Sequence, residues 1–262
     1  MQPIDQLPCQ AKSRIRYVLA DIDDTLTVRG RLHSVVLRAM ERLRKAQIAV
    51  VPVTGRPAGW CDHIARMWPV DGVVGESGAF YFWYDADRHK LKKRFLDTEA
   101  VRLSHRRRLR DLRDEILSSV AGSAVASDQD YREADLAIDY AEDVAPLGPE
   151  AVEQICALFR EHGAHCKVSS IHVNGWFGDY DKLRMTEIFV RERFDLELNA
   201  CKDRFLFCGD SPNDEPMFRY FPCAVGVSNI RRFAEQMRHL PPYVTRREGG
   251  AGFAEMVDLL LS

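Results

Sequence analysis

Short apolar runs that end in polar turns and alternate with helical stretches constrain this chain more than any other feature. Tyr17–Ala20 is a β-rich run that stops at Asp21, and a helix is expected from about His33 to Lys45. IAVVPVTGRP reads as a buried strand broken at Thr54-Gly55, after which Pro57 suits the first turn of a helix reaching Trp68. DGVVGESGAFYF reads as another strand, DRFLFCGDSPND repeats the strand-then-turn design, and CAVGVSN supplies one more. Such alternation implies a parallel sheet covered by helices on both faces, and near-continuous apolar strands suit that position. The expected fold class is α/β, with a Rossmann-like parallel-sheet core.

The middle of the chain breaks this pattern. FYFWYDADRHKLKKRFL reads as a hairpin with a polar turn, followed by a helix with Val101, Leu109, Leu112, Ile116 and Val120 on one apolar face. DLAIDY is a strand, GPEAVEQICALFREHG a helix ending at Gly163, and CKVSSIHVNGW one or two strands. Residues 84–177 are therefore expected to form an inserted α+β cap domain, set between core segments 1–83 and 178–262.

Composition narrows the functional classes. The 262 residues carry a formal net charge of −2, so no global field points to nucleic acid or an anionic membrane. No apolar run approaches the roughly 20 residues of a membrane span, and MQPIDQLPCQAKSR lacks the apolar centre of a signal peptide. Seven scattered cysteines without a CxxC pair indicate neither a disulfide framework nor a zinc site, and a cytoplasmic location is the simplest expectation. A small molecule is the expected partner, with no nucleic acid and no membrane.

Open parallel sheets bind ligands beyond the carboxyl ends of their strands. Three strand ends carry unusual chemistry: Asp21 and Asp23 in YVLADIDDTLT, Thr54-Gly55, and Asp210 with Asn213 and Asp214. Lys182 opens the helix leading to the last of these. Carboxylates converging at one edge repel by roughly 4 kcal/mol per pair at an effective dielectric near 20. A hard cation with oxygen ligands would compensate, and Mg²⁺ fits. Singly, each signal is also what a turn or helix cap looks like. Jointly, they occur in one order at strand and helix ends.

D-I-D-D-T at 21–25, T-G at 54–55, Lys182 and G-D-S-P-N-D at 209–214 together resemble the four motifs of the haloacid dehalogenase superfamily. An insertion between the second and third motifs resembles the branch with a large α+β cap (subfamily IIB), which includes sucrose-phosphate, mannosyl-phosphoglycerate and Cof-type phosphatases and phosphomannomutase. The resemblance implies that Asp21 is a nucleophile forming an aspartyl-phosphate. Asp23 would protonate the leaving alcohol and then activate water. Thr54, Gly55, Lys182 and Asn213 would hold the phosphoryl group. Mg²⁺ would be bound by the Asp21 carboxylate, the Asp23 carbonyl and the Asp210 carboxylate. Thr25 would brace the loop, and Asp214 would orient Lys182 and the water around the ion. The implied activity is hydrolysis of a small phosphomonoester, a sugar phosphate or phosphoglycerate-type compound. A phosphomutase is the alternative, although phosphomannomutases carry glycine where this chain has Asp24. A non-catalytic binding protein is a third reading, against which the intact Asp21, Asp23, Lys182 and Asp210 stand.

Substrate contacts outside these motifs rest on weaker signals. Related enzymes carry a Glu-Asn-Gly-Ala-like turn where this chain has Glu76-Ser77-Gly78-Ala79, placing Ser77 near substrate. Arg56 could reach an anionic group or pair within the core. Alternation in SSIHVNGWF sets Ser170, His172, Asn174 and Trp176 on one face, either the polar outside of the cap or a surface over the active site. HRRRLRDLRDE reads as a solvated helix face with Arg107–Asp111 and Arg110–Asp114 pairs, or as a basic surface for an anionic substrate.

Overall fold

The computed structural model describes residues 1–169 and 171–262. Ser170, expected on the inner face of a cap strand, lies outside the described residues. The core is a parallel sheet in the order Gln2–Pro3, Tyr243–Val244, Cys223–Gly226, Phe205–Gly209, Tyr17–Ala20, Ala49–Pro52. Alternation within each strand feeds two cores. Val18, Ala20, Val50 and Leu206 pack on one face, and Leu19, Val51, Phe205 and Phe207 pack on the other. Tyr17–Ala20 sits between Phe205–Gly209 and Ala49–Pro52, its hydrogen-bonded neighbours from opposite ends of the chain. The crevice beyond its carboxyl end is the topological switch point where such sheets bind ligands.

DGVVGESGAFYF is two strands rather than one. Val73–Gly75 continues the core through a parallel Val53–Val74 bridge, turns at Glu76–Gly78, and pairs antiparallel with Phe80–Asp85. Glu76 and Ser77 both take positive φ (40° and 56°). Gly78 (φ 110°) is required, because a Cβ there would lie 2.1 Å from the Asp181 carbonyl oxygen. That close approach seats the turn against the start of the helix Lys182–Phe194.

The hairpin Phe80–Asp85/Lys90–Phe95 joins this same edge and not the sheet of the inserted unit. Phe80 and Phe82 pack into one core, and Tyr81 meets Phe189 edge-on at 5.1 Å in the other. Residue 84, expected as the domain boundary, falls inside Phe80–Asp85, a strand of a three-stranded sheet that one Val53–Val74 bridge joins to the core, and we propose that the inserted unit spans about 97–177. It has its own sheet, in the order His165–Val168, His172–Trp176, Asp135–Asp139, Ala124–Val125. The helices Glu99–Ser119 and Pro149–Glu161 cover that sheet over a separate apolar cluster of Leu109, Leu112, Ile116, Ile138 and Phe159. Val101, expected on the same buried stripe, is 40% exposed, because the first turns of its helix lie outside that cluster. The Arg107–Asp111 and Arg110–Asp114 pairs do not form among the described residues; Asp114 pairs with Arg113 instead.

Candidate active site

The three expected strand ends meet. Asp21 follows Tyr17–Ala20, its amide donating to the Cys208 carbonyl of the neighbouring strand at 2.9 Å. Lys182, the first residue of its helix after the Asp181 N-cap, donates to Asp21 Oδ1 at 2.6 Å and to Asp214 Oδ1 at 2.8 Å. The positive end of a helix is a poor place for a cation, and here two buried carboxylates compensate it. Asp214 Oδ2 also accepts the Asp210 amide at 3.1 Å, closing the turn after Phe205–Gly209. Carboxylate oxygens of Asp21, Asp210 and Asp214 all lie within 4.8 Å of one another.

Burial strains these acids more than Lys182 relieves. Burial pushes the Asp21 carboxyl up, to about 8; Lys182 pulls it back, while Asp214 and Asp23 add to the rise. Burial raises Asp210 as well, with Asp21 and Asp214 contributing. Lys182 is held above its usual value by Asp21 and Asp214, although burial opposes its charge. An all-oxygen donor set under such strain fits a hard divalent cation. Asp214 belongs to that set by distance, in addition to its expected place beside Lys182.

The remaining expected residues divide. Thr25 Oγ1 donates to Asp210 Oδ1 at 3.2 Å, reaching the carboxylate itself. Gly55 lines the cavity, whereas Thr54 is fully buried behind it and its Oγ1 accepts the Arg56 amide at 3.0 Å. Asn213 lines the cavity and its side-chain oxygen accepts from Ser211 at 3.0 Å. Arg56 pairs within the protein: its Nε and Nη2 fork onto Asp23 at 2.8–3.1 Å, and its guanidinium stacks on Trp60 at 4.5 Å. Asp24 shapes the loop. It takes a left-handed conformation (φ 54°), which aspartate tolerates better than most residues, and its carbonyl accepts from Asn229 at 3.0 Å.

The inserted unit closes over this edge. Antiparallel pairing sets Lys167 opposite Asn174, and Asp135 opposite Trp176, on one face of its sheet. Lys167, His172, Asn174 and Trp176 line the cavity together with Ser77 from the core. Of the two readings of SSIHVNGWF, the described residues thus form the surface over the site. The cavity is partly open to solvent and has about 50 Å³ for water, room for a few molecules where one needs roughly 10–15 Å³. His172 Nε2 lies 2.9 Å from Glu142 Oε2 but is out of line for a hydrogen bond. Burial and Arg132 hold the imidazole down, to about 4, so it is neutral near pH 7.

Four residues that the motifs did not flag build this arrangement. Asn229 donates to Asp210 Oδ2 at 3.0 Å and accepts the Gly249 amide at 3.1 Å, fixing the carboxylate. Its only signal was its place just past the strand Cys223–Gly226. Glu76 is fully buried and accepts amides from both units: Ala58 at 2.9 Å, and Glu133, Ala134 and Asp135 at 2.8, 2.5 and 3.2 Å. Arg132 answers from the cap, donating to the Gly55 carbonyl at 3.1 Å while pairing with Asp128 and Asp135 at 3.0 Å. Asp128 in turn lies 3.6 Å from Arg56.

Comparison with known proteins identifies the fold. No family model matches the chain. A phosphoglycolate phosphatase of Archaeoglobus fulgidus is 26% identical over 245 residues, 93% of this chain and 96% of that protein. A haloacid dehalogenase-like hydrolase from Bacteroides thetaiotaomicron superposes with a TM-score of 0.65 at 14% identity, over 93% of this chain and 98% of that one. The chain has the haloacid dehalogenase fold. The same fold is seen in the sucrose-phosphatase of Synechocystis sp. PCC6803, which matches with a TM-score of 0.64 at 16% identity over 93% of this chain and 97% of that one. Among the described residues, no helix is long and apolar enough to cross a membrane.

Proposed function

We propose that this chain is a phosphoric monoester hydrolase acting on a small phosphorylated molecule through an aspartyl-phosphate on Asp21. The observation that carries the reading is the Asp21–Lys182–Asp214 bridge, at 2.6 and 2.8 Å, beside Asp210 and beneath the cap. Asp21 is placed to attack phosphorus, and Lys182 lies against it, where charge develops on the phosphoryl oxygens. Asp23, two residues on and 29% exposed, is the group left to pass a proton to the leaving alcohol and take one from water. Arg56 holds its carboxylate and sets where that proton exchange happens. Gly55 and Asn213 border the phosphoryl position. Mg²⁺ would be held by Asp21, Asp210 and the Asp23 carbonyl, with Asp214 close by, and would neutralise charge on the transferring group.

One relative is named a phosphoglycolate phosphatase and one solved structure of the same fold a sucrose-phosphatase. A sugar phosphate or phosphoglycerate-type compound is the class to try first. The test is hydrolysis of p-nitrophenyl phosphate and a panel of phosphomonoesters, with Mg²⁺ and with EDTA, by the wild type and by Asp21→Asn. Metal-dependent turnover lost in Asp21→Asn is expected; turnover that survives that substitution, or none on any ester, refutes the proposal.

A further inference from the structure

The cavity is lined by four cations, and three are neutralised from within. Lys182 has Asp21 and Asp214, Arg56 has Asp23, and Arg132 has Asp128 and Asp135. Lys167 is the exception: among the described residues no carboxylate lies within ion-pair distance of its ammonium, whose one contact is the Asn213 carbonyl at 3.5 Å. It is half-buried on the cap's inner face; burial and the Lys182 charge lower its pKa, while Asp181, Asp214 and Glu215 oppose that from beyond ion-pair distance. A cation held there without a counter-ion is costly unless a ligand supplies the charge.

A second donor beside it is also unsatisfied. Trp176 lines the same cavity at 2% exposure, and its indole N–H has no hydrogen-bond partner among the described residues. Because Lys167 pairs with Asn174, Trp176 is its diagonal neighbour on the same sheet face, close enough for long side chains to share a ligand. Lys167 and Trp176 together present a charged and a neutral donor on the cap, facing the core that holds Asp21.

We infer that Lys167, with Trp176, is the specificity determinant for a second anionic group on the substrate, a carboxylate on a short carbon chain beside the phosphate ester. The inference rests on the phosphatase reading and deepens it. Asp21, Lys167 and Trp176 line one cavity, so the second group lies a short chain away from the phosphate. A second phosphate would bring about twice the charge on a bulkier, tetrahedral group, so the planar, singly charged carboxylate is the better match for one ammonium and one N–H donor. Sugar phosphates without a second anion leave Lys167 uncompensated and are disfavoured.

The experiment compares kcat/KM for three esters of matched length: phosphoglycolate, ethylene glycol monophosphate and ethylene glycol bisphosphate. Enzymes are the wild type, Lys167→Met and Lys167→Arg, each checked for folding by circular dichroism. The wild type should prefer the carboxylate over the neutral ester by on the order of 10- to 100-fold, the usual worth of a hydrogen bond to a charged group. Lys167→Met should erase that preference through KM while changing the neutral ester by less than about threefold, and Lys167→Arg should restore most of it. A Lys167→Met loss shared equally by all three esters, a bisphosphate preference, or no wild-type preference overturns the inference. Calorimetric binding of phosphoglycolate and ethylene glycol monophosphate to Asp21→Asn separates the two levels. Selective, Lys167-dependent binding without any turnover in the wild type sinks the hydrolase reading alone, and turnover without selective binding sinks the inference alone.

Discussion

Glu76→Gln tests how the cap is held over the core. The Glu76 carboxylate accepts four backbone amides: Oε1 takes Ala58 and Glu133, and Oε2 takes Ala134 and Asp135 with a second contact to Glu133. A glutamine has one acceptor oxygen and an NH₂ in place of the other. With the oxygen toward Ala58, the amides of Ala134 and Asp135 face a donor; with the amide flipped, Ala58 does. Each buried N–H so orphaned costs about 1–3 kcal/mol, and the surviving bonds lose the strengthening that charge confers. The expected loss is ~2–4 kcal/mol, read by equilibrium urea denaturation. Hydrogen exchange should locate it, with the amides of residues 133–135 losing protection while those of Phe205–Gly209 keep theirs. A loss below about 1 kcal/mol, or unchanged exchange at 133–135, would refute the view that this one carboxylate ties the two units together.

Three further outcomes follow from the site. Asn229→Ala removes a donor from Asp210 Oδ2, and the Mg²⁺ concentration giving half-maximal activity should rise ~10- to 100-fold; no change would remove Asn229 from the metal's surroundings. Lys182→Met leaves Asp21 and Asp214 without their shared cation, so turnover should fall by ~100-fold or more in a chain that still folds, and near-normal turnover would contradict its place beside the phosphoryl group. His172 is held down to about 4 from 6.5 by burial and Arg132, so the unfolded chain takes up a proton first as the pH falls. Its contribution to stability is present above about pH 6.5 and lost towards pH 4, ~3 kcal/mol in all. His172→Phe should flatten that part of the stability–pH curve, and an unchanged slope would count against it.

What was legible in the sequence is what local pattern encodes. Apolar runs ending at Asp21, Thr54 and Asp210 marked core strands, and parallel pairing brings all three ends together whatever the loops between them do. Lys182 was legible as a cation at a helix start, where it needs a reason to be. The hairpin 80–95 was legible as a hairpin but not as part of the core, since alternation says nothing about which sheet a strand joins. Glu76 and Arg132 were hidden because their partners lie 57 and 77 residues away in sequence. Arg56 left two readings open, and only geometry shows its fork on Asp23. Lys167 carried no signal of its own, because alternation leaves open which face of a strand turns towards the site.

The most direct test of the account asks whether Asp21 becomes phosphorylated. The Asp23→Asn enzyme, slowed in releasing phosphate, would be mixed with Mg²⁺ and p-nitrophenyl phosphate, whose leaving group needs no proton from Asp23, quenched in acid, and reduced with borohydride. An acyl phosphate on Asp21 would be converted to homoserine, and peptide mapping should find homoserine at position 21 and at no other aspartate. Phosphate release by Asp23→Asn with aspartate intact at position 21, or homoserine at Asp210 or Asp214 instead, would contradict the assignment of Asp21 as the nucleophile.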